Sequence, residues 1–95
     1  MGKESILLVD DEDTIIETGR EMLEYLGYTV DAHNKSAHAL NAFKNSPEKF
    51  DLVISDMTMP EMNGDELARK MIALRPDIPI IICTGYNPRI DEKAA

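Results

Sequence analysis

Residues 5–27 read SILLVDDEDTIIETGREMLEYLG, and the fold turns on a change of period inside that stretch. Ser5 to Val9 carries four consecutive aliphatic residues with no polar alternation, as in a short strand covered on both faces. From Asp13 the spacing becomes helical. Ile15, Ile16, Gly19, Met22, Leu23 and Leu26 recur on one side, while Glu17, Arg20, Glu21 and Glu24 fall elsewhere. Thr14 and Glu17 have the spacing of a capping box, and Gly27 is placed to stop the helix.

The same alternation repeats along the chain. Tyr28 to His33 reads as a second strand, and Ser36 caps a helix to about Asn45 with Ala37, Leu40 and Phe43 inward. Leu52 to Ser55 is a third strand, ending at Asp56, and Met57 to Gly64 is a loop marked by Pro60 and Asn63-Gly64. Asp65 to Leu74 is helical, burying Leu67, Ala68, Met71 and Ile72. Pro79 to Cys83 is a fourth, buried strand, followed by a loop from Thr84 to Pro88 and the first turns of a helix from Ile90. Strands separated by helices run parallel, so the fold class is α/β, an open doubly wound sheet.

Composition narrows the function. The 95 residues carry a formal net charge of −8, with 43% hydrophobic and 29% charged residues, which suits one ordinary globular domain. The longest apolar runs are far short of the roughly 20 residues that span a bilayer, so no membrane association is expected. No signal-peptide pattern precedes Ser5, and the single cysteine, Cys83, cannot form an internal disulfide; a cytoplasmic location is the expectation. Eighteen acidic against ten basic residues argue against nonspecific binding of nucleic acid as a partner and leave room for a cation.

In open parallel sheets, ligands sit beyond the carboxyl ends of the strands. Asp10 and Asp11 follow the first strand, Asp56 the third and Thr84 the fourth. If strands one and three are neighbours, these carboxylates converge. Two of them about 4 Å apart repel by roughly 4 kcal/mol at an effective dielectric of 20. A protonated carboxyl could relieve this, though a hard divalent cation such as Mg²⁺ is the better solution at neutral pH. Each residue also has a plainer reading. Asp10 or Asp11 alone is a helix cap or a solvated turn, and Thr84 alone carries no signal. His33 and His38 lack partners at ligand spacing and read as surface residues. Cys83 reads as a small buried hydrophobe, and Met57, Met59 and Met62 as loop and core packing. Gly64 reads as a residue allowing a backbone conformation costly to others, and Pro60 as a stiffener of the turn.

Three segments together resemble the receiver domain of bacterial two-component response regulators: ILLVDDE (6–12), DLVISDMTMPEMNG (51–64) and PIIICTG (79–85). The likeness runs from residue 4 to the end, and its later part is similar in style to receivers attached to hybrid sensor histidine kinases. It implies a flavodoxin-like sheet of order 2-1-3-4. It also implies that Asp56 accepts a phosphoryl group from a histidine kinase or phosphotransfer protein. Mg²⁺ would be held by Asp10, Asp11, Asp56 and the Thr58 backbone carbonyl. Thr84 would be the switch hydroxyl, with Tyr86 in the responding loop, and the Thr58 side chain would tune dephosphorylation.

The pattern departs from the family at its end. The family continues through a fifth strand, which ends in a lysine, and a last helix. No residue here takes that lysine's role, Lys93 included, so residues 1–95 read as one receiver domain, incomplete at the C-terminus. An exposed edge on strand four is then expected to drive self-association. Two other classes stand beside the phosphoacceptor. One is an interaction module that keeps the scaffold without switching. The other is an aspartyl phosphatase, disfavoured because Thr58 is not a carboxylic acid.

Overall fold

The computed structural model describes residues 4–83. Four strands and three helices alternate: β1 (Ser5–Val9), α1 (Asp13–Tyr25), β2 (Thr29–His33), α2 (Ser36–Asn45), β3 (Leu52–Asp56), α3 (Gly64–Leu74) and β4 (Ile80–Cys83), with a 3-10 turn at Pro47–Lys49. All strand pairs are parallel, in the order β2-β1-β3-β4. The expected fold class and strand order hold.

The ends of α1 follow local chemistry. Gly27 adopts φ 102°, and its N–H donates to the Glu24 carbonyl while that of Tyr28 donates to Leu23. Both bonds belong to a Schellman stop, which favours glycine where φ is positive. The start differs from expectation. The helix begins at Asp13 with Glu12 in the N-cap position, so Thr14 lies inside it and forms no capping box. In α2, likewise, Ser36 is the first helical residue rather than the cap, and Lys35 precedes it.

The two faces of the sheet are covered unequally. Leu7, Val9 and Val53 on one face pack with Ala39, Leu40 and Phe43 of α2 and with Leu67 and Met71 of α3. Phe43 and Phe50 stack with centroids 6.1 Å apart. Ala39 takes the inward position expected of Ala37, which is exposed. Ile72 also faces water, at 43%. On the opposite face, α1 buries only Ile16, and Ile15, Met22 and Leu26 are more than half exposed. Strand β4 alternates rather than being buried throughout: Ile81 is 49% exposed, and Cys83 is exposed rather than packed. The departures on the α1 face, in α1 and β4, share one cause. A period identifies an apolar face, but burial also needs an opposing layer, and among the described residues no second helix lies beside α1 on this face.

Arg75, just after α3, ties two loops together. Its Nη1 donates to the carbonyls of Pro47 and Phe50, and its Nε to Asp77 Oδ1 at 3.0 Å. Arg75→Met keeps the apolar stem and removes those donors. It should cost about 2 kcal/mol, since bonds to charged donors contribute roughly 1.5–3 kcal/mol each and water recovers part of the loss. Urea unfolding with an unchanged slope and a lowered midpoint would record it.

Candidate functional site

Three strand ends build the site. Asp10 leaves β1, its N–H donating to the His33 carbonyl at 3.2 Å and its Oδ1 accepting the Glu12 N–H at 2.9 Å. That Asx turn holds the Asp10 side chain before α1 begins. Glu12, not Asp10 or Asp11, takes the N-cap position, so the cap half of the plainer reading fails, while Asp10 does sit in a turn. Asp56 closes β3, in register with Cys83, whose carbonyl accepts the Met57 N–H at 2.8 Å. One carboxylate oxygen from each of Asp10, Asp11 and Asp56 lies within 4.8 Å of the others.

Electrostatics marks Asp56 within this group. Its carboxyl is held above the usual carboxylate range, first by burial, then by the negative charge of Asp10 and, to a smaller degree, of Asp11. Backbone N–H groups of Met57 and Thr58 pull the other way without prevailing. The donor set is oxygen only, converges from two strands and carries excess negative charge. Those features fit a hard divalent cation of the Mg²⁺ type.

The loop after β3 is tightly constrained. Met59 is buried in the core, and its N–H reaches Asn63 Oδ1 at 3.4 Å. Gly64 opens α3 with its N–H donating to the Met57 carbonyl at 2.7 Å. A Cβ at Gly64 would stand 2.3 Å from the Asp56 carbonyl oxygen. Gly64 does not have positive φ, so the sequence-based reason given for it is corrected: proximity to the Asp56 backbone requires glycine. Thr58 is exposed beside the cluster. Thr84 and Tyr86 lie outside the described residues. His38 is exposed as expected, whereas His33 is half-buried, with Nε2 3.2 Å from Asp31 Oδ1.

Glu61 was not singled out by the sequence. It has φ 72°, and the Met62 N–H donates to the Pro60 carbonyl at 2.7 Å, which closes a three-residue γ-turn. Positive φ makes this the rarer, strained form. A glutamate gives no signal of such a conformation. Glu61→Gly should stabilise the chain by about 0.5–1 kcal/mol, because relief of left-handed strain outweighs the entropy glycine loses on folding. A rise in melting temperature of several degrees is the expected readout, and no rise would mean that the turn is unstrained.

Comparisons with known proteins agree with this fold. The family model described as "Response regulator receiver domain" matches residues 6–95. The chain is 38% identical over 85 residues to the sensor kinase CckA of Brucella abortus, covering 90% of this chain and 9% of that protein. Its fold superimposes on a response regulator receiver domain protein from Clostridium thermocellum with a TM-score of 0.85 and 31% identity, covering 96% and 72% of the two chains. A solved complex of the histidine kinase ThkA with the response regulator protein TrrA also matches, with a TM-score of 0.79 and 37% identity, covering 88% of this chain and 71% of that one. The chain therefore spans about a tenth of the length of the curated kinase that it resembles. No helix among the described residues is long and apolar enough to cross a membrane. With its 2-1-3-4 sheet and the acids at its strand ends, the chain belongs to the response regulator receiver domain family of two-component signalling proteins.

Proposed function

We propose that the chain is a phosphoacceptor, with Asp56 taking a phosphoryl group from the phosphohistidine of a histidine kinase or phosphotransfer protein. The observation that carries this reading is the convergence of Asp10, Asp11 and Asp56 within 4.8 Å, with Asp56 the residue whose charge is most resisted. A carboxylate oxygen of Asp56 attacks phosphorus, the P–N bond to the donor imidazole breaks, and its electron pair returns to the imidazole nitrogen. Asp10, Asp11, Asp56 and the Thr58 backbone carbonyl would hold Mg²⁺, which when bound draws charge from the transferring group. The Asx turn keeps Asp10 in place before reaction, and Gly64 lets α3 begin directly against the Asp56 backbone. Thr84 is the proposed switch hydroxyl, donating to a phosphoryl oxygen on Asp56. The Thr58 side chain, two residues after the acceptor and exposed, would influence the approach of hydrolytic water.

The kinase as partner is supported by the similarity to TrrA, described in complex with ThkA. The outer edge of β4, unpaired among the described residues, is a second proposed contact, for self-association. The decisive test is intact mass after incubation with acetyl phosphate and Mg²⁺. A phosphoryl-sized gain is expected that needs the metal and vanishes in Asp56→Asn. A folded wild-type chain that gains nothing would favour an interaction module on the receiver scaffold.

A further inference from the structure

The segment that carries Asp10 and Asp11 is anchored at both ends by one neighbouring loop. At its start the Asp10 N–H donates to the His33 carbonyl at 3.2 Å, and at its end Asn34 Nδ2 donates to Asp13 Oδ1 at 3.0 Å. The two anchors come from adjacent residues, the last of β2 and the next one on. They differ in kind. The first continues the main-chain ladder past the Val9–His33 pair, whatever the side chains there. The second is made by side chains and depends on which residues stand at 34 and 13.

Between the anchors lies Asp11. Its carboxylate has no hydrogen-bond partner among the described residues, so the backbone on either side sets its place. Asp10 is better fixed, through its own turn to the Glu12 N–H. The start of α1 adds little hold, because Glu12 makes no side-chain cap bond. Repulsion acts on this same segment. The charges of Asp10 and Asp11 both bear on Asp56, and carboxylates lower that energy by moving apart. Of the three acids, Asp11 has the most freedom to do so.

We propose, on the reading of Asp10, Asp11 and Asp56 as a Mg²⁺ site, that Asn34 is a positioning residue: by holding Asp13 it fixes the start of α1 and keeps Asp11 within reach of an ion shared with the other two acids. An amide suits this task. It donates without charge, so it ties down the Asp13 carboxylate without placing a cation beside the metal, as a lysine or arginine would. The bond also stands close to the acids, since Asn34, Asp13 and Asp11 line one cleft of about 220 Å³.

The test is a calorimetric titration of Mg²⁺ into the intact chain and its variants. Asn34→Ala removes the donor and leaves every charge in place. Asp13→Ala removes the acceptor with its charge, and Asp13→Asn removes the charge but keeps an oxygen for Asn34 to reach. Asn34→Ala should weaken Mg²⁺ binding about three- to tenfold, less than the roughly 10–100-fold typical of groups bonded directly to a ligand. Asp13→Ala should weaken it at least as much and Asp13→Asn much less. Adding Asn34→Ala to Asp13→Ala should cost nothing more, as expected of two residues acting through one bond. Without metal, Asn34→Ala should melt close to wild type, because the bond is exposed. An Asn34→Ala chain that binds Mg²⁺ as tightly as wild type, or more tightly, would overturn the proposal. So would Asp13→Asn binding as weakly as Asp13→Ala, which would trace the effect to charge alone. A wild-type chain that binds no Mg²⁺ would overturn the reading of the three acids as a metal site, and the role of Asn34 with it, before any variant is compared.

Discussion

Gly64→Ala should be the most damaging small substitution in the chain, lowering stability by about 3 kcal/mol and loosening the acidic site with it. The added methyl would stand 2.3 Å from the Asp56 carbonyl oxygen and 3.1 Å from both the Asp56 carbonyl carbon and Met57 Cα. All three are backbone atoms, so no rotamer change relieves the clash. Overpacking by a methyl group costs roughly 1–3 kcal/mol where side chains can yield, and this site lies at the upper end because they cannot. Strand β3 is held between β1 and β4, so the strain must move the start of α3 or the loop before it. Either movement disturbs the Gly64 N–H bond to Met57 and shifts the backbone that carries Asp56 and Thr58. Denaturant unfolding should show the loss. A phosphorylation rate that falls further than the folded fraction would show that the site has been displaced as well. An alanine variant as stable as wild type would mean that α3 begins farther from β3.

The sequence made the layer order legible because each strand is short, aliphatic and flanked by a helical period. It made the acidic cluster legible because parallel sheets gather their strand ends, so Asp10, Asp11 and Asp56 converge although 45 residues separate the last two. What stayed hidden depended on neighbours. The period of α1 marked Ile15, Met22 and Leu26 as apolar-face residues but could not say whether anything covers them, and they are exposed. Ser36 looked like a cap because serine favours that position, yet the backbone turns one residue earlier, at Lys35. The strain at Glu61 had no signal, since only the closure between Pro60 and Met62 reveals it. Gly64 was noticed for the wrong reason: a glycine required by proximity and one required by φ are the same letter.

Mg²⁺ should stabilise the folded chain at neutral pH and lose that effect in acid, and Asp56→Asn should reverse the order of stabilities. Burial, then Asp10, then Asp11 raise the Asp56 carboxyl above its ordinary value. The folded state therefore holds that proton more tightly than the unfolded chain does. Without metal, the resulting stability is fully present below the unfolded value, about 3.9, and is lost as pH rises through the higher folded value. At neutral pH the metal-free chain thus carries a repulsive charge that asparagine removes, so Asp56→Asn should melt above wild type. With Mg²⁺ the balance inverts. A ligand that binds only the folded state at a hundredfold excess over its Kd contributes about 2.7 kcal/mol. Much of that gain should vanish in the variant, which lacks one of three carboxylates. Proton and metal compete for the same oxygens, so the wild-type gain should shrink as pH falls through the window where Asp56 protonates. Thermal melts of both chains, with Mg²⁺ or with chelator at several pH values, give the comparison directly. If Mg²⁺ raised both chains equally, the ion would be binding away from Asp56, and the three acids would be a strained surface rather than a metal centre.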